Sequence, residues 1–167
     1  TTRLIHRRYQ QEVAGDVALL GPRAQLLSRL EQAHDDCAPE VTVVVVSHNQ
    51  ARALRQGLTH LAAASLGVSC EVLVVDNASE DETARFAMGL HGDVRPLVLT
   101  RPVTMAAAYN RGAAQATAKR IVFWSLDAIP RQGWLQAMLV AMGEAVAVGG
   151  VVLTPEGIVN AGFDLQP

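Results

Sequence analysis

The chain has 167 residues, of which 50% are hydrophobic and 18% are charged, and its formal net charge is −2. This length and composition fit one compact domain with a full-sized core. The charge balance argues against a basic nucleic-acid-binding surface, and two cysteines are too few for a disulfide framework or a zinc site. The sequence has no apolar run of about 18 residues and no signal-peptide pattern, so we expect no transmembrane segment and a cytoplasmic location.

Residues 1–39 are predicted to form a helical lead-in or linker. Leucines recur at helical spacing in the stretch PRAQLLSRLEQ, whose Pro22 suits a first helical turn, and Ala38-Pro39 ends the pattern. The chain begins with Thr1-Thr2 and has no initiator methionine, and we interpret it as a piece of a longer protein.

From residue 40 onward the sequence predicts alternating strands and helices. VTVVVVS and CEVLVVD are continuous apolar runs, which is typical of strands covered by helices on both faces. A residue pair with the spacing of a capping box, Ser79 and Glu82, predicts the start of one helix. The five predicted core strands lie around Val41, Val72, Leu97, Val122 and Val148. The other predicted helices cover 50–64, 105–118 and the stretch GWLQAMLVAMGEA.

This alternation predicts an α/β sandwich with a mostly parallel sheet. Pro96 lies within the third strand and places that strand near an edge, because proline cannot donate to the ladder. RIVFWSL, the fourth strand, is predicted to be buried on both faces, and TPEG is predicted to form a hairpin turn near the end of the chain.

Polar residues follow three of the predicted strands, as Ser47-His48-Asn49, Asp76-Asn77 and Asp127. Right-handed crossovers bring the carboxyl ends of parallel strands to one edge of a sheet, where ligands of such sheets bind. We therefore predict that these residues form a binding site. Asp127 is predicted to face a ligand because a buried carboxylate without a partner is costly.

The sequence argues against two common nucleotide-binding folds. A dinucleotide-binding domain also has an acid after its second strand, but it requires a glycine-rich first turn, and SHNQARAL contains no glycine. The Gly-Lys-Ser/Thr sequence of a phosphate-binding loop is absent from the chain.

Four stretches together resemble the family 2 glycosyltransferases in order and spacing over about Pro39 to Phe163. They are VTVVVVSHNQARALRQGLTHL, EVLVVDNASEDET, AAAYNRGAAQATAKRIVFWSLD and GGVVLTPEGIVNAGF. The resemblance implies a GT-A type fold, which is a Rossmann-like α/β/α sandwich with a mostly parallel sheet. It also implies a nucleotide-diphosphate sugar, UDP- or dTDP-linked, as the donor for inverting transfer to a saccharide or glycan acceptor.

The resemblance also implies roles for the predicted site residues. Asp76 would accept the imide N–H of a uracil or thymine base, for which an acceptor-only carboxylate is suited. Ser47-His48-Asn49 would flank the base and ribose, and Asp81 would complete the DNxSxD pattern. The alternative for Ser79 and Asp81 is a purely local role at a helix N-terminus.

Asp127 matches the first acid of the family's DxD element, which binds a divalent cation and the sugar diphosphate. Mg²⁺ and Mn²⁺ require oxygen ligands. Ile129 stands where the second acid is expected and cannot ligate a cation. The sequence therefore predicts an incomplete metal site with Asp127 as its single carboxylate.

The resemblance assigns residues 40–167 to the nucleotide-sugar-binding half of the domain. The acceptor half and the catalytic general base are expected beyond Pro167, since Asp164 is too close to the terminus. Asn110 and Gly112 in AYNRG match the family pattern, and they are interpreted either as residues retained from it or as helix-packing residues, the latter being favoured. Two hypotheses remain. The chain is the donor-binding half of a glycosyltransferase that does not turn over alone, or it is a degenerate, non-catalytic module with a scaffolding role.

Overall fold

The computed structural model describes residues 38–143 and 145–160, and gives only the backbone for 158–160. The helical lead-in predicted for 1–39 lies outside the described residues, except for Ala38 and Pro39, which have no regular structure. Strands and helices alternate, as predicted. The elements are β1 Val41–Ser47, α1 Ala51–Ala64, β2 Cys70–Asp76, α2 Glu82–Met88, β3 Val94–Val98, α3 Met105–Ala113, β4 Arg120–Trp124, α4 Trp134–Met142, β5 Val152–Thr154 and β6 Gly157–Asn160.

The core is a four-stranded parallel sheet in the order β3-β2-β1-β4. All seven residues of β1 are buried, because this strand has neighbours on both sides and helices on both faces. Pro96 lies in β3, an edge strand, as its missing N–H requires. The predicted Rossmann-like α/β fold is confirmed.

Alternate residues of the strands face two different helix layers. On one face, Val43 and Val45 of β1 belong to a cluster with Leu54 of α1, Ala87 of α2 and Leu135 of α4. On the other face, Val44 and Val46 pack in a cluster with Ala108 of α3. The sheet therefore lies between helices on both sides. Among the described residues, no helix is both long and apolar enough to cross a membrane.

Helix α3 approaches the sheet closely at Gly112, which is buried. A Cβ atom at this position would collide with Val44 Cγ1 and would lie 3.0 Å from Val75 Cγ2. Glycine is therefore required by packing here, which agrees with the packing role predicted for Gly112, whereas Asn110 on the same helix is exposed.

The fifth core strand predicted around Val148 is wrong. Residues 147–150 have no regular structure, and Val146 is 98% exposed. Gly149-Gly150 interrupts the apolar run, and glycine weakens a strand because it loses more backbone entropy and packs no side chain. The chain forms a separate antiparallel hairpin instead, with β5 and β6 joined at TPEG as predicted.

Two predicted elements are shorter or less buried in the structure. Helix α3 ends at Ala113 rather than Ala118, and Thr117, beyond its end, hydrogen bonds with Glu71. Strand β4 is not buried on both faces: Phe123 is 55% exposed. Within the described four-stranded sheet, β4 is an edge strand, so its outer side lacks a neighbour.

Candidate functional site

The carboxyl ends of β1 and β2 bring two of the predicted groups together. Ser47 and Asp76 are register partners across the β1–β2 ladder, and the Asn77 N–H donates to the Ser47 carbonyl at 2.8 Å. Asp127 follows β4, which pairs with the other side of β1, so it lies beyond the same ends of the sheet. The topology thus places Ser47-His48-Asn49, Asp76-Asn77 and Asp127 along one edge, as predicted.

Both carboxylate oxygens of Asp76 accept hydrogen bonds from other groups of the protein. Asp76 is 0% exposed. Its Oδ1 accepts a hydrogen bond from the Ser79 hydroxyl at 2.5 Å, and its Oδ2 accepts one from the Ser79 N–H at 3.1 Å. The Ser79 hydroxyl in turn accepts from the Asn49 N–H at 2.9 Å. These bonds link the loop after β2 to the loop after β1.

Asn49 is the second link between these loops. Its backbone has φ of 52°, a left-handed conformation that asparagine tolerates better than most residues. Its side-chain Oδ1 accepts from the N–H groups of Glu80 at 2.8 Å and Asp81 at 3.4 Å. Both the main chain and the side chain of Asn49 therefore hold the β2–α2 loop in place.

His48 completes this arrangement. Its Nδ1 lies 2.9 Å from the carbonyl oxygen of Asn77, which can only accept, so Nδ1 carries the proton. In the neutral imidazole, Nε2 is then an acceptor, and it lies 3.3 Å from the Asn49 side-chain nitrogen. The exposed His48 side chain thus has a tautomer defined by its partners.

Asn77 fixes a third loop. Its Oδ1 accepts from the Val103 N–H and its Nδ2 donates to the Val103 carbonyl, both at 2.9 Å. This pair of bonds ties the β3–α3 loop to the end of β2. Asn77 is buried and its side chain is occupied in this way, so the structure shows it in a loop-positioning role.

Ser47 differs from its neighbours in having no partner for its side chain. It is 1% exposed, and its hydroxyl is the one buried side-chain nitrogen or oxygen without a hydrogen bond in the described part of the chain. An unpaired buried hydroxyl is costly, and such groups in native structures call for an explanation. A ligand that hydrogen bonds to Ser47 would remove that cost, but it reaches this hydroxyl only if the loops over the edge open, since Ser47 is 1% exposed.

The predicted capping box of Ser79 and Glu82 is wrong. The N-cap of α2 is Asp81, whose carboxylate accepts from the Thr83 N–H at 2.8 Å. The Ser79 side chain cannot cap the helix because Asp76 and Asn49 already use it. Hydrogen bonds from Thr83 hold the pKa of the Asp81 carboxyl below its usual value.

Asp127 lies in an exposed turn after β4. Its Oδ2 is 3.4 Å from the Ser125 hydroxyl, and its N–H donates to the same hydroxyl at 3.3 Å. Ile129 is 73% exposed, so it is a surface residue rather than a core residue. Burial raises the pKa of the Tyr109 hydroxyl, and the nearby carboxylate of Asp127 raises it further. The Tyr109 hydroxyl itself donates to the Trp124 carbonyl at 3.1 Å.

The residues around Asp127 do not by themselves fit a divalent cation. Within the ranges that the structure describes, no three His, Cys, Asp or Glu side chains come together to hold a metal. One exposed carboxylate beside an isoleucine offers too few oxygen ligands for Mg²⁺ or Mn²⁺, which take about six.

The sequence reasoning missed a polar network at the opposite end of the sheet. Glu71 is buried, and its Oε1 accepts from the Thr42 hydroxyl at 2.6 Å and from the Thr117 N–H and hydroxyl at 2.6 and 2.8 Å. Its Oε2 accepts from Arg95. Burial raises the pKa of Glu71, but these hydrogen bonds outweigh it, so the pKa lies below the usual value. The signal in the sequence was one acid inside the apolar run CEVLVVD.

Comparison with known proteins identifies the family of this chain. The family model "Glycosyl transferase family 2" matches residues 42–164. This chain belongs to glycosyl transferase family 2. The resemblance inferred from the four sequence stretches is therefore confirmed.

Individual relatives agree with this membership. The chain is 35% identical over 102 residues to a pre-mycofactocin glycosyltransferase of Mycobacterium tuberculosis (strain CDC 1551 / Oshkosh), a match that covers 60% of this chain and 20% of that relative. The chain thus spans about a fifth of the length of the curated relatives it matches.

Solved structures of glycosyltransferases share the fold. The mannosyltransferase PcManGT from Pyrobaculum calidifontis, in complex with GDP-Man and Mn²⁺, is 25% identical with a TM-score of 0.59, and the match covers 86% of this chain and 47% of that one. S. aureus TarS in complex with UDP-GlcNAc is 20% identical with a TM-score of 0.54, and the match covers 63% of this chain and 31% of that one.

Proposed function

We propose that this chain is the nucleotide-sugar-binding half of an inverting glycosyltransferase. The observation that carries the proposal is the carboxyl edge of the sheet, where Ser47, with its unpaired buried hydroxyl, lies beside Asp76 on neighbouring parallel strands. Ligands of open α/β sheets bind at such edges. Membership of glycosyl transferase family 2 supports the sugar donor as the ligand class.

The donor is proposed to be a UDP- or dTDP-linked sugar, as the sequence resemblance implies. A guanine nucleotide is the second candidate, because PcManGT, at 25% identity, is in complex with GDP-Man. Both uracil and guanine carry a ring N–H flanked by a carbonyl, which an edge of carboxylate, amide and hydroxyl groups can pair with. Adenine lacks that N–H, so ADP is the informative negative control.

For catalysis, the chain is proposed to bind and orient the donor, while the acceptor half and the general base are proposed to lie elsewhere in the parent protein. Holding the donor in one orientation lowers the entropic part of the barrier when the acceptor hydroxyl attacks the anomeric carbon. A general base near that hydroxyl would remove its proton during the displacement.

A non-catalytic module is the second candidate function. It is favoured by the single carboxylate at Asp127 and the exposed Ile129 beside it, where the family pattern has a second acid. Such a module would retain the fold and nucleotide binding and have no transferase activity.

Isothermal titration calorimetry with UDP, dTDP, GDP and ADP, in the presence of Mg²⁺ or Mn²⁺, tests the proposal. We expect UDP or dTDP to bind at least about tenfold more tightly than ADP, the effect of roughly one unmade hydrogen bond to a buried group. Tighter binding of GDP than of UDP and dTDP would show that the donor carries guanine rather than uracil or thymine. The absence of binding by all four nucleotides would refute the proposed function.

A further inference from the structure

The burial of Asp76 has a consequence for how it serves the proposed nucleotide site. With 0% exposure and one hydrogen bond to each carboxylate oxygen, Asp76 presents no surface to a ligand. A base could reach it only if Ser79 moved away, and both of the Asp76 hydrogen bonds would then be lost. Charge-assisted bonds of this kind are among the stronger ones in proteins.

The bonds from Asp76 continue toward exposed residues. Ser79 receives the Asn49 N–H and so helps to hold Asn49 in its left-handed conformation. Asn49 then holds the Glu80 and Asp81 N–H groups through its side chain and lies within reach of His48 Nε2. His48, Asn49 and Glu80 are exposed, so this is the surface that a ligand meets.

We propose that Asp76 is a positioning residue for the nucleotide, which shapes the surface formed by His48, Asn49 and Glu80 through Ser79 and does not contact the base. The inference rests on the proposed function, because it concerns the same site. It departs from the direct base contact that the sequence resemblance implies for Asp76.

The two roles differ in their effect on base preference. If Asp76 accepted the imide N–H of uracil, Asp76→Asn would remove the discrimination, because an amide can donate to N3 of cytosine as well as accept from uracil. The affinity ratio of UDP to CDP would then fall by tenfold or more. A positioning residue acts on all nucleotides alike, so the ratio would stay constant while every affinity fell.

The experiment is calorimetry of the wild type, Asp76→Asn, Asp76→Ala and Ser79→Ala with UDP, CDP, GDP and ADP. We expect Asp76→Asn and Ser79→Ala each to weaken the binding of every nucleotide that the wild type binds by about three- to tenfold, the effect of one lost hydrogen bond. Asp76→Ala removes both acceptors and should weaken binding further. A tenfold change in the UDP-to-CDP ratio in Asp76→Asn would overturn the inference.

A control separates positioning from general loss of stability. Thr42→Val removes a hydroxyl from the Glu71 network at the opposite end of the sheet and should lower stability without changing nucleotide affinity. Equal affinity losses in Thr42→Val and Asp76→Asn would overturn the inference.

Amide hydrogen exchange tests the same inference without a nucleotide. The Glu80 and Asp81 amides should exchange faster in Asp76→Asn than in the wild type, because Ser79 loses one of its two bonds to residue 76 and holds Asn49 less firmly. Unchanged exchange at both amides overturns the positioning role. Failure of the wild type to bind any nucleotide refutes the proposed function instead, and it leaves the exchange result to decide whether Asp76 orders this loop.

Discussion

The Arg95 guanidinium lies against the Glu71 carboxylate, with Nε 3.1 Å and Nη2 2.8 Å from Glu71 Oε2. The same Nη2 donates to the carbonyl of Gln115 at 2.8 Å. With Thr42 and Thr117 on the other carboxylate oxygen, Glu71 joins β1, β2, β3 and the loop that leads into β4. This network anchors the amino end of the sheet.

Glu71→Gln should destabilise the protein at neutral pH and lose that effect in acid. The pKa of Glu71 is lowered in the folded protein, so its stabilising contribution is present above the usual value of 4.5 and is lost as the pH falls through the folded pKa. At pH 7 we expect a loss of roughly 1–3 kcal/mol, the cost of impairing a buried hydrogen-bonded group. Urea denaturation at pH 7 and at pH 3.5 measures both values. An equal difference at the two pH values would contradict this prediction.

Gly112→Ala should destabilise the protein by roughly 1–3 kcal/mol, the usual cost of overpacking a core. The added methyl would collide with Val44 and push α3 away from the sheet. Gly150→Ala is the matched control, since no atom lies within 4 Å of the position its Cβ would take. Thermal and urea denaturation of both variants checks the prediction, which fails if the two variants are equally stable.

Ser47→Ala should leave stability unchanged or raise it slightly, because it removes a buried hydroxyl that has no partner. It should also weaken UDP binding by about 1 kcal/mol, the typical net value of one hydrogen bond, if the ligand pairs with that hydroxyl. Urea denaturation measures the change in stability, and calorimetry on the same preparation measures the change in UDP affinity. A clear loss of stability would show that Ser47 has a partner in the folded protein, and unchanged affinity would remove Ser47 from the proposed site.

Ile129→Asp should tighten Mn²⁺ binding on the order of tenfold, because cation affinity rises with the number of charged ligands. Ile129 is exposed, so the substitution should leave stability nearly unchanged. Titration of Mn²⁺ against the wild type, Ile129→Asp and the control Ile129→Asn separates added charge from added polarity. Micromolar Mn²⁺ binding by the wild type that Asp127→Asn abolishes would contradict the predicted incomplete site.

The central strands were predictable because their apolar runs have few alternatives. Val41 to Val46 form an unbroken β-branched series, and all of them are buried in β1. The wrong helix-cap prediction has a different origin: a side chain that could cap a helix can hydrogen bond to another residue instead, and the local sequence does not show which partner it takes. Ser79 has the spacing of a helix cap, but the carboxylate of Asp76 takes its hydroxyl.

The candidate site was predictable in its location and less so in its internal bonding. Strand order places Ser47, Asp76 and Asp127 at one edge, and the alternation of elements is enough to infer this. The links between loops depend on the left-handed φ of Asn49 and on the backbone partners of His48 and Asn77, which a residue pattern does not specify.

Hydrogen bonds between residues 47–50 and 77–83 join two loops that are distant in sequence. The two loops should therefore be replaced together when segments are swapped between relatives. The Gln50 N–H also donates to the Thr83 hydroxyl at 3.0 Å, so the linkage runs from the end of β1 into both following helices. A chimera whose second loop lacks Ser79 would leave the Asn49 N–H without its acceptor, and one whose first loop lacks Asn49 would leave the Glu80 N–H without its acceptor. If these loops bind the proposed donor, we expect its preference to transfer by recombination only when both loops come from the same parent.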